Sequence, residues 1–172
     1  MRRRDFLKAS TASCVLFFAC NNKQATGYTH YLDPEVGKET TLEGEVVHVC
    51  PIKGKKMKLR LSDGEIICVL PADNEPFEKG LWDKKKVKIS GMLSESKLSR
   101  KTIAVNYEEK KLLCHIDQTP CLDTQWAENR WKDGSAENLL NRDNEKLQKK
   151  MHETKVNFIQ VFSITAKNII EI

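Results

Sequence analysis

The sequence predicts a mainly β domain, a small five-stranded β-barrel with a helical insertion before its last strand. Two observations carry this prediction. Segments in which apolar and polar residues alternate recur between residues 40 and 93, and an amphipathic stretch at 135–153 precedes a β-branched stretch at 156–172. Alternation with a period of two is typical of half-buried strands, whereas apolar residues three and four apart are typical of one face of a helix.

The first strands are predicted at 40–50 and 56–71. The segment "TTLEGEVVHVC" (40–50) is β-branched and alternating, with Gly44 inside it. The segment "KMKLRLSDGEIICVLP" (56–71) contains two alternating runs around Asp63-Gly64. An Asp-Gly pair flanked by alternating residues is the strongest short-range signal for a β-hairpin.

The next segments predict a turn or short helix at 74–85 and a further strand at 86–93. The segment "RKTIAVNY" (100–107) predicts a fifth strand or a continuation of the previous one. The segment 135–153 predicts a helix that Ser135 caps. A sparse apolar stripe supports this helix, formed by Leu139, Leu140, Leu147 and Met151.

This order of elements resembles the OB-fold, a small Greek-key barrel. A glycine in the first strand fits such a barrel, because that strand must bend sharply to serve both halves. The resemblance covers residues 40–93 and 156–172 and makes 94–155 an insertion. The predicted domain therefore spans 40–172.

A more specific resemblance lies at "VCPIKGKKMKL". It is similar to a group of uncharacterised exported bacterial OB-like domains that carry V-C-x-x-x-G-C-W-M-x-L. The matching residues are Val49, Cys50, Gly54, Met57 and Leu59. The sequence departs at Lys55 and Lys56, where that group has Cys and Trp. A partner for Cys50 would therefore have to come from Cys68, Cys114 or Cys121.

The N-terminus predicts export. Arg2, Arg3 and Arg4 precede a short apolar stretch at 9–19. This stretch is too short to cross a bilayer as a helix, so residues 1–19 read as an export signal. The segment "RRDFLK" (3–8) looks like the twin-arginine motif R-R-x-F-L-K, and that export route carries folded proteins, often with a cofactor already inserted.

The end of this signal, "LFFAC", resembles a lipoprotein cleavage site, which would make Cys20 the lipidated N-terminus. The alternative is a plain cleaved signal without lipid. Residues 20–39 then read as the lipidated cysteine and a polar tether. The sequence thus predicts a lipoprotein anchored in a membrane of the cell envelope, at the periplasmic face or the cell surface.

The charge balance disfavours a nucleic-acid partner. The whole chain has 29 Lys and Arg against 24 Asp and Glu, a net charge of +5. Removing residues 1–19 removes four basic residues and one acidic residue, so 25 against 23 remain, a net charge of +2. A nucleic-acid-binding surface normally needs a strongly basic patch.

Cysteine and histidine residues form a candidate metal site. The candidate ligands are His48, Cys50, Cys114, His115 and Cys121. His48 and Cys50 are two apart on one strand, so their side chains leave the same face. Zinc binds four such groups in a tetrahedron, and copper(I) also accepts thiolates and imidazoles. The spacing is not a common zinc pattern. The carboxylate of Asp117 could orient the ring of His115 without itself binding the ion.

Disulfide bonds are the alternative for the same cysteines. Cys114 and Cys121 enclose six residues including Pro120, a comfortable disulfide loop in an oxidising compartment. Free or buried thiols are the third reading. Cys68 is expected in the core, although a disulfide to Cys50 would fit neighbouring strands.

Trp126 and Trp131 could stack on a sugar or base with Arg130 and Lys132. The alternative is that they pack the insertion onto the barrel. No nucleophile–base pair, phosphate loop or paired carboxylates stand out, which favours binding over catalysis. The predicted function is a membrane-anchored binding module that uses zinc or copper at the Cys/His cluster. The alternative is a disulfide-stabilised domain that binds an envelope protein or glycan without metal.

Overall fold

The structure, a computed structural model, describes residues 30–73 and 75–172. The predicted export signal at 1–19, the lipidated Cys20 and the start of the tether lie outside the described residues. The last part of the predicted tether, residues 30–38, packs against the barrel. Leu32 is buried there, and the ring of His30 lies 4.5 Å from the ring of Phe162.

Five strands and four helices make up the described chain. The strands are β1 (Glu39–Val49), β2 (Met57–Leu61), β3 (Ile66–Pro71), β4 (Lys86–Ser99) and β5 (Phe158–Glu171). The helices are α1 (Lys79–Trp82), α2 (Arg100–Glu108), α3 (Thr124–Lys132) and α4 (Ala136–Glu153), and a 3-10 turn covers Asp33–Glu35. The hairpin predicted around Asp63-Gly64 and the helix predicted at 135–153 are both confirmed.

The strands close into a barrel in the order β1-β2-β3-β5-β4. Neighbouring strands are antiparallel except β3 and β5, which run parallel. Helices α2, α3 and α4 lie between β4 and β5 in the chain. The predicted β-barrel with a helical insertion before the last strand is therefore confirmed, and its strand order is compatible with the OB-fold.

Alternating side chains fill the interior of the barrel. In β4, for example, Val87, Ile89 and Leu93 are buried while Lys88 and Met92 between them are exposed. Burying each such apolar side chain stabilises the fold by about 1.5–3 kcal/mol. The fully buried residues of the interior are Val46, Val49, Met57, Leu59, Ile67, Val69, Val87, Ile89, Leu93 and Ile164.

Strand β1 serves both halves of the barrel, as its glycine predicts. Residues 39–45 pair with β4, and residues 44–49 pair with β2. Gly44 lies where the two ladders overlap, and a Cβ atom at this position would collide with the backbone carbonyl of Arg60. The close approach of β2 therefore requires glycine at this position.

The strand predicted at 100–107 is wrong, because these residues form helix α2. Ser99 caps the helix, and its Oγ accepts a hydrogen bond of 3.2 Å from the backbone N–H of Thr102. Ile103 and Asn106, three residues apart, are its buried side chains, and this is helical spacing. The cap and the buried face outweigh the β-branched composition. Strand β4 also continues to Ser99, so the insertion begins at Arg100 rather than at residue 94.

The predicted cap of α4 is also wrong in its detail. Ser135 occupies the N-cap position, but its side chain makes no capping hydrogen bond to the helix. Its hydroxyl instead donates to the Oδ1 of Asp133 in the preceding turn. A serine beside an aspartate in a turn has a competing local partner, which explains the difference.

The insertion has apolar clusters of its own. One cluster joins the far end of the barrel to α2 and α4, through Leu98, Ile103, Leu113, Leu147 and Met151. A second holds α3 and α4 together, through Leu112, Ala136 and Leu140 with the two tryptophans against them. No helix within residues 30–73 and 75–172 combines the length and the hydropathy needed to cross a membrane.

Replacing Gly44 with alanine should lower the free energy of unfolding by about 1–3 kcal/mol, because the added methyl group forces β1 and β2 apart. The matched control is Gly80→Ala in α1, where no atom lies within 4 Å of the added Cβ. The control should change stability by less than about 0.5 kcal/mol. Urea unfolding of the two variants makes the comparison, and equal stabilities would contradict the close approach of the strands.

Candidate metal centre

Three potential ligand atoms converge where the barrel meets the insertion. The ligand atoms of Cys50, Cys114 and His115 all lie within 4.8 Å of one another. Cys50 directly follows β1, whereas Cys114 and His115 belong to the loop between α2 and α3. Both thiols are buried and the imidazole is exposed, so an ion would reach the thiols from the surface past His115.

Backbone hydrogen bonds hold both loops. In the β1–β2 loop, the N–H of Cys50 donates to the carbonyl of Lys56 at 2.8 Å, and the N–H of Gly54 donates to the carbonyl of Cys50 at 3.1 Å. In the loop between α2 and α3, named the insertion loop below, the N–H of Cys114 donates to the carbonyl of Thr119 at 2.8 Å. Each cysteine therefore lies at the base of a closed turn.

His48 lies beside this group. Its Nε2 is 2.9 Å from the Nε2 of His115, and the two rings meet edge to face at 75°. One imidazole must donate and the other accept, so the two cannot both be protonated in this contact. Burial, followed by the neighbouring His48, lowers the pKa of His115. Neutral imidazole is the form that binds a metal ion.

Cys121 stands at the edge of the group. It is half-buried and lines the same cavity as Cys50, Cys114 and His115. It does not belong to the set of ligand atoms that lie within 4.8 Å of one another among the described residues. The structure therefore brings all five sequence-predicted ligands to one place, three of them in a compact group.

The alternative disulfide between Cys114 and Cys121 is not present, since Cys50, Cys68, Cys114 and Cys121 are all free thiols. The insertion loop explains why. Leu113 pairs with Pro120, so the two cysteines flank this bridge diagonally rather than opposite each other. Diagonal partners in a ladder are about 7–8 Å apart, which is at the limit for a disulfide.

Cys68 lies under the candidate site, in the middle of β3. It is buried in a small apolar cluster with Cys50, Cys114 and Ile116. This placement agrees with the expectation of a core cysteine. Burial strongly raises the pKa of its thiol and also raises the pKa of Cys121.

A buried ion pair joins the two loops, and the sequence did not predict it. The Nζ of Lys56 donates to both carboxylate oxygens of Asp117, at 3.0 and 2.8 Å, and to the Oγ1 of Thr119 at 2.6 Å. Lys56 and Asp117 are 3% and 8% exposed. Asp117 was expected to orient His115; its hydrogen bonds instead involve Lys56 and Thr119. The two residues are 61 positions apart in the chain, so no local pattern marks the pair.

A cavity of about 170 Å³ opens against the three ligand groups. Cys50, Cys114, His115 and Cys121 line one side. The other side is formed by α3 and α4, through Trp126, Leu139, Arg142 and Asp143. Arg142 donates from Nε to the Oδ1 of Asp143 at 3.1 Å, and Asp143 is buried whereas Arg142 is exposed.

The two tryptophans lie half-buried between α3 and α4. Both pack against the cluster of Leu112, Ala136 and Leu140, whose members belong to the insertion and not to the barrel. Trp126 also lines the cavity, and the guanidinium of Arg130 lies 5.8 Å from its ring centre. Trp131 faces the ammonium of Lys110 at 5.4 Å.

Comparison with known proteins adds no relative, because no protein-family model, curated protein or solved structure matches this chain. The function must therefore be inferred from the site itself.

Replacing Lys56 with methionine should lower the free energy of unfolding by about 3–5 kcal/mol, because it leaves the Asp117 carboxylate buried without its partner. The double variant Lys56→Met/Asp117→Asn removes both charges and keeps an acceptor for Thr119. It should recover most of the loss, since replacing a whole buried pair is often nearly neutral. Chemical unfolding of the single and double variants measures this, and additive losses would contradict the pairing.

The stability of the metal-free protein should fall at alkaline pH through Cys114. Burial raises the pKa of this thiol to about 11, whereas an unfolded cysteine ionises near about 8.5. Its contribution is fully present below about pH 8.5 and is lost as the pH rises to about 11. Across this pH range, the free energy of unfolding should fall less steeply with pH for Cys114→Ser than for the parent protein. Equal slopes for the two proteins would contradict the burial of the thiol.

Proposed function

We propose that this protein is a binding module that holds one thiophilic metal ion, zinc or copper(I), through Cys50, Cys114 and His115. The observation that carries the proposal is the convergence of two buried thiols and an imidazole within 4.8 Å. These groups come from loops more than sixty residues apart in the chain, which the fold brings together.

The separations suit such an ion. With Zn–S bonds of about 2.3 Å and Zn–N bonds of about 2.0–2.1 Å, the ligand atoms of a tetrahedral site lie about 3.3–3.8 Å apart. Ligand atoms within 4.8 Å reach these separations by small rotations of their side chains. Copper(I) accepts the same soft thiolate ligands.

Metal binding at this site is coupled to the protonation of its thiols. Burial disfavours an isolated thiolate at Cys114 and raises its pKa. A metal cation supplies the charge that compensates a deprotonated thiol, so binding and proton release are coupled. The nearby pair of Lys56 and Asp117 has no net charge. It therefore does not compensate the negative charge of a deprotonated thiol.

The proposal extends to where the module acts. The signal-like residues 1–19 and the cysteine at position 20 support an exported lipoprotein, held at the cell envelope by a lipid on Cys20. The similarity of "VCPIKGKKMKL" to exported OB-like domains supports the same placement. A folded export route would let the ion enter before export.

Native mass spectrometry of the protein extracted from its own membranes tests the proposal. The parent protein should carry one zinc or copper ion that is lost on denaturation, with the thiols then free, and the same spectrum reports a lipid on Cys20. Cys114→Ser and His115→Ala should lose the ion, because each removes one of three ligands. The matched control His152→Ala changes an exposed histidine on α4 and should retain it.

Equal metal content in Cys114→Ser and the parent protein would contradict the proposed ligands. A metal-free parent protein whose mass lacks two hydrogens would identify a disulfide instead. That result would favour the disulfide-stabilised interaction domain, with an envelope protein or glycan as its partner.

A further inference from the structure

We propose that the metal ion keeps one coordination position for an exogenous ligand, a small organic carboxylate bound in the 170 Å³ cavity beside Arg142. This inference rests on the proposed function and names the ligand class of the same site. Three observations support it: the set of three protein ligands, the cavity beside them, and the charged and apolar side chains that line this cavity.

The protein offers three well-placed ligands rather than four. Within the described chain, Cys50, Cys114 and His115 form a group of mutually close ligand atoms without a fourth member. The imidazole of His48 meets that of His115 directly, Nε2 to Nε2. Cys121 lines the same cavity but is outside this group of mutually close ligand atoms. Three protein ligands with an open position are the pattern of reactive rather than structural zinc sites.

The cavity borders all three ligand residues. Its volume of about 170 Å³ has room for several water molecules or one small ligand. The three ligand residues line this cavity together with side chains of α3 and α4. A donor group on the ion would therefore have its remaining atoms near Trp126, Leu139 and Arg142. Asp143 lines the same cavity, and its carboxylate is paired with Arg142.

Arg142 supplies the hydrogen-bond donors that select a carboxylate. Its Nε and Nη2 contact the Oδ1 of Asp143 at 3.1 Å each. A guanidinium carries five N–H donors, so an edge remains for a second carboxylate. Its side chain is 56% exposed, so these remaining donors can reach a ligand while the pair with Asp143 stays intact.

The apolar wall selects the body of the ligand. Trp126, Leu139 and Arg142 also line an adjoining groove of about 420 Å³, whose other residues are Arg130, Ser135 and Asn138. The indole of Trp126 thus faces both volumes. A carboxylate with an aromatic or branched body can bind the ion through oxygen and stack its body on the indole.

The experiment uses the full chain loaded with cobalt(II), which occupies zinc sites and reports its coordination through visible absorption bands. Acetate and benzoate serve as the probes, since they share a donor group and differ in the apolar body. Both should shift the visible bands saturably, with benzoate half-saturating at a lower concentration than acetate.

The variants assign the effect to the cavity. Arg142→Gln should weaken benzoate binding about tenfold, the loss expected for one charge-assisted hydrogen bond. Arg142→Lys keeps the charge and should retain most of the affinity. Arg100→Gln removes an exposed charge at the start of α2, outside the residues that line either cavity. It is the matched control and should bind benzoate as the parent protein does.

The possible results separate the two proposals. Cobalt bands that neither anion shifts would overturn the open position and leave the metal site standing. Anion binding that Arg142→Gln does not weaken would overturn the cavity as its location. Failure to bind cobalt, zinc or copper(I) at all would overturn the proposed function and this inference with it.

Discussion

The buried pair of Lys56 and Asp117 is the interaction on which the candidate site depends. It joins the β1–β2 loop, which carries Cys50, to the insertion loop, which carries Cys114 and His115. Charges buried at this depth are tolerated only when each donor and acceptor is satisfied. Lys56 meets this condition with three hydrogen bonds, and Asp117 meets it with bonds from Lys56 and Thr119. The pair thereby fixes how far the two loops lie apart.

The closure of the barrel adds a second constraint in the same region. Gly44 lets β1 bend from β4 to β2, so the end of β1 points His48 and Cys50 toward the insertion. Residue types alone would not bring a thiol at position 50 near thiols at 114 and 121. The bend and the ion pair together do so, and they place buried sulfur atoms behind a surface histidine.

Much of this fold could be predicted from local patterns. The hairpin at Asp63-Gly64, the glycine in β1 and the helix at 135–153 depend on turn chemistry and periodicity, which act over a few residues. Helix α2 shows where local patterns fail. Its β-branched residues are typical of a strand, and only the Ser99 cap and the buried face identify the segment as a helix. The predicted ligand residues do meet, but the role of Asp117 was missed. A pairing between residues 61 positions apart leaves no local signal.

X-ray absorption at the metal edge of the purified protein tests the central claim most directly, because it reports the atoms bound to the ion. We expect a shell of two sulfur ligands at about 2.3 Å and at least one nitrogen at about 2.0 Å if the ion is zinc. A shell of oxygen and nitrogen alone would contradict the site at Cys50, Cys114 and His115. So would a single sulfur ligand, because the structure places two thiols within reach of the same ion.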